Sequence, residues 1–158
     1  MSTASTRSPM CPSAPHDEPG AHVFAVVGGT LAEPSVAYLD KPLPMTQELV
    51  DMAAPVDPAE VFRISAPCAG ERCGHFNSAE HSCRLATRTV ALASVVVTKP
   101  PRCAIRSSCV WWAQEGVSAC LRCPQVVTHD FAPNDITREA ADPYNHRFDK
   151  PQPDAAPA

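Results

Sequence analysis

The sequence predicts a small, irregular domain that is mostly α-helical, with a short β element near its N-terminus and disordered ends. The chain has 158 residues, which is enough for one domain, and its 18 prolines remove backbone donors and interrupt regular structure. Aromatic residues make up only 6% of the chain, so large apolar side chains are too scarce to fill an ordinary core. Seven of the eight cysteines lie between Cys68 and Cys123, where bound metal is the expected substitute for a larger core.

Composition divides the chain into four parts. Residues 1–20 are rich in Ser, Thr and Pro without periodicity, and they are expected to form a disordered leader. Residues 21–66 are expected to form small β and helical elements, and residues 67–128 are expected to form a cysteine-rich centre that is organised by metal. Residues 129–158 are acidic and proline-rich, and they are expected to form a disordered tail.

The N-terminal part contains two β-prone runs and two helix signals. Residues 22–27 and 36–39 predict a hairpin or strand pair, with Gly28-Gly29 as turn residues. Thr46 can cap a short helix that ends near Met52. Residues 57–60, Asp-Pro-Ala-Glu, are a stronger signal, because a capping Asp is followed by Pro and then by an acid at the third helical position.

Two further helices are predicted in the cysteine-rich centre. The residues after Cys83 place apolar side chains on one stripe, which predicts the longest helix of the chain. Its β-branched end, residues 95–98, is also compatible with extended structure, and Pro100-Pro101 ends it in either case. A second helix is predicted from residue 107 or 108 to residue 115, with Gly116 as its C-terminal stop.

The spacing of the cysteines is typical of metal ligands. Close pairs separated by turns bring donors to one point at low loop-closure cost, and four donors complete a site. The second half of the centre contains one full set of four thiols: Cys103, Cys109, Cys120 and Cys123. The first half supplies the other candidate ligands, with an imidazole as possible fourth donor: Cys68, Cys73, Cys83, His75 and His81.

The spacing leaves the partition of these ligands open. Two four-coordinate sites, a three-cysteine site with an open position, and a single site with spare thiols all fit it. An ordinary surface or hydrogen-bonded role is the alternative for His75 and His81. Cys11 lies in the predicted leader, far from the other cysteines, and is interpreted as a free thiol without a role.

An iron-sulfur cluster, of the [4Fe-4S] type for four thiolates, is the first expectation, and zinc is the alternative. Zinc sites favour two to four residues between paired ligands, whereas five residues separate Cys103 from Cys109. A proline follows Cys123, as it follows the last cysteine of bacterial ferredoxin runs. The aromatic side chains of Phe76, Trp111 and Trp112 could screen a cluster from water, or they are ordinary core residues.

Residues 102–109, Arg-Cys-Ala-Ile-Arg-Ser-Ser-Cys, resemble the C-x5-C element of WhiB-type iron-sulfur regulators of actinobacteria. In that element an arginine stands three positions after the first cysteine, as Arg106 does here. The resemblance implies that Cys103 and Cys109 are cluster ligands and that a helix follows them. It covers less than a tenth of the chain, and Pro100 stands where those regulators have a further cysteine.

No apolar run reaches the roughly 18 residues that a membrane helix needs, and no signal peptide is evident, so a cytoplasmic protein without a membrane partner is expected. Thiol pools in that compartment disfavour disulfides.

Residues 63–128 carry eight basic and three acidic residues, a local charge of +5 within a net charge of −4. This charge could stabilise thiolates and an anionic cluster, or it could contact nucleic acid through five arginines: Arg84, Arg88, Arg102, Arg106 and Arg122.

Three functions remain open at this point. The favoured one is a non-catalytic iron-sulfur protein, an electron carrier or a redox or iron sensor that acts with a protein partner. The second is a zinc-stabilised adaptor that binds protein or nucleic acid. The third is a thiol oxidoreductase that uses Cys120 and Cys123 as its dithiol pair, although no alternating α/β frame is predicted around it.

Overall fold

The computed structural model describes residues 9–29, 34–95, 97–123 and 134–149. Residues 1–8 of the predicted leader lie outside the described residues, as do residues 129–133 and 150–158 of the predicted tail. Val96, near the predicted end of the longest helix, also lies outside them.

A four-stranded antiparallel sheet forms much of the first half of the chain. Its strands are β1 (Met10–Cys11), β2 (His22–Gly29), β3 (Pro34–Pro44) and β4 (Phe62–Pro67). They lie in the order β1-β4-β2-β3, and the register of β2 shifts between Val23 and Ala25 against both of its neighbours. The sheet is therefore larger than the short β element that the sequence predicts.

The prediction of a mostly α-helical fold is wrong, because about 35% of the structure is helix and 24% is strand, which makes a mixed α/β domain. Two features account for most of the difference: β3 is longer than predicted, and β4 is not predicted at all. The first five residues of β4 alternate apolar and polar side chains, but the run is short and directly follows a strong helix start. All five are buried, with Phe62, Ile64 and Ala66 in the apolar cluster on one side of the strand. The polar side chains of Arg63 and Ser65 are buried as well.

Both helices predicted in the N-terminal part are confirmed. Helix α1 (Gln47–Ala53) starts at Thr46, whose hydroxyl accepts a hydrogen bond from the Leu49 amide at 3.3 Å. Helix α2 (Pro58–Val61) starts at Asp57 with a complete capping box. It ends at Val61, where the chain enters β4.

The cysteine-rich centre contains a two-stranded ladder and three helices. Strands β5 (Phe76–Asn77) and β6 (Ser82–Cys83) pair antiparallel, and helix α3 (Arg84–Leu92) follows them directly. Helices α4 (Val110–Glu115) and α5 (Val117–Cys120) come after a single 3-10 turn, Arg106–Ser108. Helix α4 thus begins later than predicted, because that turn occupies the predicted first residues. Gly116 ends α4 with a φ of 65°, as expected for a glycine stop.

Parts of both ends that the sequence predicts as disordered are ordered. Strand β1 lies in the predicted leader and pairs with the end of β4, and the Cys68 amide donates to the Pro9 carbonyl at 2.8 Å. Helix α6 (Asp135–Ala140) lies in the predicted tail and packs against α3. These segments lack local periodicity, and their order comes from contacts with residues far away in the chain.

Arg88 connects the C-terminal segment to the helical half. Its side chain is 1% exposed, and its Nε and Nη1 atoms donate to the Ala140 and Asn145 carbonyls at 2.7 and 3.0 Å. Nearby, Arg84 Nε lies 2.9 Å from a carboxylate oxygen of Asp149 in a partly buried ion pair. These contacts hold residues 134–149 against α3.

We expect Arg88→Met to lower the free energy of unfolding by about 3 kcal/mol, because hydrogen bonds from a charged donor contribute about 1.5–3 kcal/mol each and buried carbonyls lose their donor. Urea unfolding of anaerobically purified protein measures this change. The control is Arg138→Gln, which removes an exposed ion pair to Asp135 and should change stability by less than about 0.5 kcal/mol. Equal effects of the two substitutions would contradict this account.

Trp111 is the largest fully buried side chain of the helical half, which has its own core. Trp111 is 1% exposed and packs with residues from α3, α5 and α6, including Leu85, Ala119 and Ala140. A separate apolar cluster covers β2, β4 and α1. The cysteines lie where the sheet and the helical half meet.

Candidate metal centres

The first candidate centre is a cavity of about 440 Å³ that four cysteines line. Their side chains come from different elements: Cys11 from β1, Cys68 from the residue after β4, Cys73 from the residue after a 3-10 turn, and Cys83 from the cap of α3. The turn spans Gly70–Arg72. The pairing of β1 with β4 brings Cys11 to the cavity, although Cys11 is far from the other three cysteines in the chain.

The other walls of the first cavity are largely apolar. Phe76, Leu85, Val110 and Trp111 contribute to the lining, and apolar walls of this kind limit the access of water. Glu18 and Arg72 also line it, and their side chains form an ion pair at 3.2 Å. Volumes of about 300–1,000 Å³ are usual for cavities that hold a ligand. The first cavity is therefore large enough for an occupant of several atoms.

The second candidate centre is a small cavity of about 30 Å³ between the sheet and the helical half. The four cysteines that line it are the complete set predicted from the spacing: Cys103, Cys109, Cys120 and Cys123. Phe24 and Tyr38 line it from β2 and β3, and Trp111 and Trp112 line it from α4. A volume of 30 Å³ corresponds to about one water molecule.

Electrostatic interactions divide the thiols into the same two sets. Burial, together with smaller contributions from the thiols of Cys83, Cys68 and Cys73, raises the pKa of Cys11 to about 12. Burial also raises the pKa of Cys83 to about 11, with further contributions from Cys73 and Cys68. A second thiolate close by disfavours ionisation because the two negative charges repel.

The thiols of the second cavity interact among themselves in the same way. Burial raises the pKa of Cys109 to about 12, with further contributions from Cys123 and Cys103. Burial is also the main cause that raises the pKa values of Cys103 and Cys120, and Arg106 opposes it in both cases. A bound cation would replace these protons, because thiolates rather than thiols are the metal ligands.

All eight cysteines are free thiols. Within the part of the chain that the structure describes, no three His, Cys, Asp or Glu side chains are arranged closely enough to hold a single metal ion. Four thiolates on one zinc ion at about 2.3 Å would lie within about 3.8 Å of one another. The thiols of each set therefore surround a space rather than converge on one point.

His75 lines the first cavity, but its hydrogen bond makes it a donor toward the cavity rather than a ligand. Arg88 Nη2 lies within hydrogen-bond distance of His75 Nδ1, and a guanidinium can only donate. Nδ1 must therefore carry the lone pair, which leaves the proton on Nε2. Burial and the charge of Arg88 lower the pKa of His75 to about 4, which favours this neutral form. The Nε2–H group can then donate to a sulfur atom.

We expect His75→Gln to keep the full metal content of the protein, because glutamine removes the imidazole and retains a side chain that can donate a hydrogen bond. The ratio of metal to protein after anaerobic purification measures this. A ligand histidine would behave differently, and loss of the metal from the first centre in His75→Gln would show that the imidazole is a ligand.

His81 is placed away from the first cavity. It has a φ of 49°, its ring packs edge-on against Phe76, and it is not among the residues that line the cavity. The two candidate histidines therefore have different surroundings: one lines the cavity and one does not.

Buried arginines place positive charge beside both sets of thiols. Arg63, 2% exposed on β4, donates through Nη2 to Cys123 Sγ at 3.4 Å. Arg106 makes a side-chain hydrogen bond to Cys120, and its guanidinium also stacks on Trp112 at 5.3 Å. Arg88 interacts electrostatically with Cys83, although its side chain donates hydrogen bonds to two carbonyls and a neutral imidazole. An anionic occupant would compensate these charges.

The arginines that could contact nucleic acid are mostly engaged within the chain. Arg84 pairs with Asp149, and Arg88 is buried. Arg122 donates to the Ala93 and Ser118 carbonyls at 2.8 and 2.9 Å. Arg106 donates to the Pro101 carbonyl, and Arg102 is exposed. Their arrangement gives no continuous basic surface from these five side chains.

Sequence reasoning missed two residues of these centres. Cys11 has no cysteine near it in the chain, so spacing gives no signal, although the total of eight thiols is twice the four that a site needs. Arg63 was unassigned because β4 was not predicted, and strand alternation is the signal that would have placed it opposite Phe62 and Ile64.

No family model, curated protein or solved structure matches this chain. Among the described helices, none has the length and apolar character needed to cross a bilayer. The two cysteine-lined cavities are thus the features from which a function can be argued.

Proposed function

We propose that this protein is a non-catalytic iron-sulfur protein that carries electrons, or senses redox state or iron, together with a protein partner. Two centres of four cysteines each would hold the clusters. The first comprises Cys11, Cys68, Cys73 and Cys83, and the second comprises Cys103, Cys109, Cys120 and Cys123. The WhiB-like resemblance of residues 102–109 agrees with the ligand role of Cys103 and Cys109 in the second centre.

One observation carries the proposal: the eight cysteines divide into two sets of four, and each set lines its own cavity. Four thiolates are the usual ligand set of both [2Fe-2S] and [4Fe-4S] clusters. The second set is close in sequence, whereas the first set also includes Cys11, which lies far from the other cysteines in the chain. The same grouping follows from the electrostatic interactions between thiols.

The spread of the thiols favours a cluster over a single ion. A [4Fe-4S] cluster binds each of its four thiolates through a different iron atom, so its ligands are held further apart than those of one zinc ion. Thiols that surround 440 Å³ without converging fit the wider arrangement. The buried cations beside the thiols fit an anionic occupant, because thiolate-ligated clusters carry net negative charge.

The raised thiol pKa values argue against the thiol oxidoreductase alternative. A redox-active dithiol needs a thiolate with a lowered pKa, whereas burial raises the pKa of Cys120. Cys120 is also the last residue of α5, so it sits at the negative end of a helix rather than at the positive end that stabilises thiolates. A binding role therefore fits these cysteines better than nucleophilic chemistry.

Elemental analysis combined with an anaerobic absorption spectrum tests the proposal. Protein purified without oxygen is expected to be brown, to absorb near 400 nm as a rough guide for thiolate-ligated iron, and to contain iron and inorganic sulfide. Protein that stays folded without iron or zinc would refute it.

A zinc-stabilised adaptor is the second candidate, and the small volume of the second cavity favours it. A space of 30 Å³ suits one ion, whereas a cluster would require the four cysteine side chains to rotate away from one another. Colourless protein with stoichiometric zinc would support this candidate in place of the first. A cytoplasmic location is part of both proposals, because reducing conditions keep the eight thiols available.

A further inference from the structure

The C-terminal segment, which comprises residues 134–149, forms one wall of the first cavity. Its residues Ala141 and Pro143 line that cavity together with the four cysteines. Pro143 packs over Gly74, which directly follows the cavity-lining Cys73. A β-carbon on Gly74 would lie 3.3 Å from the Cβ atom of Pro143, which is closer than most contacts of a β-carbon. The C-terminal segment therefore lies directly against the part of the chain that carries this thiol.

Few apolar contacts attach the C-terminal segment to the rest of the chain. Two of its side chains are buried, and both are small: Thr137 and Ala140. Its larger apolar side chains are exposed, since Ile136 is 46% exposed and Tyr144 is 90% exposed. Segments that bury little apolar surface open at a lower free energy than the unfolding of the whole domain.

Polar contacts hold the C-terminal segment in place. Arg88 donates to the carbonyls of Ala140 and Asn145, which lie before and after the residues that line the cavity. At the end of the segment, Asp149 accepts from Arg84 Nε at 2.9 Å in a partly buried ion pair. Water can replace these partners once the segment lifts, so opening costs less than the contacts are worth in a dry interior.

We infer that the C-terminal segment is a cover that opens while the rest of the domain stays folded, and that its opening gives solutes access to the thiols of the first cavity. These solutes include thiol reagents and the small complexes that deliver a metal ion. The inference goes beyond the proposed function, because it concerns the path into the cavity and depends on no occupant.

Hydrogen–deuterium exchange of the anaerobically purified full chain tests whether the cover opens by itself. The amides of Arg138 and Ala141 are hydrogen-bonded within the C-terminal segment, each at 2.9 Å. They are expected to exchange at least about tenfold faster than the hydrogen-bonded amides of α3. Equal exchange rates in the two helices would show that the segment opens only when the domain unfolds.

Gly74→Val tests whether this opening leads into the cavity. The valine side chain would press against Pro143, and overpacking of this size should raise the labelling rate of the covered thiols by iodoacetamide about tenfold. The thiols to follow by mass spectrometry are Cys11 and Cys83, because both lie far from residue 74 in the sequence. Gly74→Ala should give a smaller increase in the same direction.

The four thiols of the second cavity are the internal reference, and their labelling rates should stay at the wild-type values. Asp149→Asn provides a second test at the other attachment in case Gly74→Val does not fold. It weakens the ion pair with Arg84 and should raise the same labelling several-fold. Asp135→Asn is the matched control, because its ion pair with Arg138 is exposed and lies within the segment, so labelling should not change.

Arg72→Gln separates the cover from another part of the cavity wall. Arg72 and Glu18 both line the cavity and form an ion pair in which the arginine side chain is 71% exposed. Faster labelling in Arg72→Gln, with wild-type rates in Gly74→Val and Asp149→Asn, would overturn the cover. Folded protein that contains no metal but shows the expected pattern of rates would contradict the proposed function and support the cover.

Discussion

Replacing Cys11 with alanine is expected to remove one of two clusters and to halve the iron and sulfide bound per chain. Cys11 lines the first cavity with Cys68, Cys73 and Cys83, and a four-iron cluster with only three thiolates is readily lost. The isolated position of Cys11 in the sequence predicts the opposite, a substitution without effect. Iron and acid-labile sulfide, measured after anaerobic purification, decide between the two.

Ser13→Ala is the control for this substitution. Ser13 lies two residues further along the same segment and lines the same cavity, but iron-sulfur clusters are usually held by cysteine thiolates rather than serine hydroxyls. It should leave the iron content unchanged. If Cys11→Ala also retained the wild-type iron content, the first centre would not need this thiol.

Replacing Trp111 with alanine is expected to give the largest loss of stability, about 3–5 kcal/mol. The ring is 1% exposed, lies in the core of the helical half and separates the two cavities. Its removal would create a cavity that joins them and would let water reach both centres. Urea unfolding, followed by circular dichroism, measures the free energy, and the bleaching rate of the 400 nm absorbance in air measures the access of oxygen.

Trp112→Ala provides the comparison, because the two tryptophans are adjacent in α4 but differ in burial. Trp112 is 37% exposed, and its stacking on Arg106 is worth about 0.5–1 kcal/mol at such a site. Its replacement should cost far less than that of Trp111 and should not join the cavities. Similar losses for the two variants would show that Trp111 is not the centre of this core.

Local signals in the sequence predict the helices of this protein better than its sheet. Capping residues such as Thr46 and Asp57 act within one turn, so the starts of α1 and α2 follow from a few neighbouring residues. The sheet depends on pairing between distant segments, and β4 pairs with both β1 and β2. No local signal near Phe62–Pro67 indicates those partners, so the pairing of this strand is not predictable from its own residues.

The same contrast applies to the candidate centres. Cys103, Cys109, Cys120 and Cys123 are close in sequence and line one cavity, and their role as metal ligands stays a prediction. The first set depends on Cys11, which reaches the cavity only because β1 pairs with β4. His75 is a plausible ligand by position, and only its hydrogen bond with Arg88 gives the ring a different role.

The stoichiometry of iron and sulfide in anaerobically purified, fully loaded protein tests the division into two centres most directly. Two four-iron clusters require about eight iron atoms and about eight sulfides per chain. About four of each would mean that only one set of cysteines holds a cluster. Folded protein with neither iron nor sulfide would contradict the account as a whole.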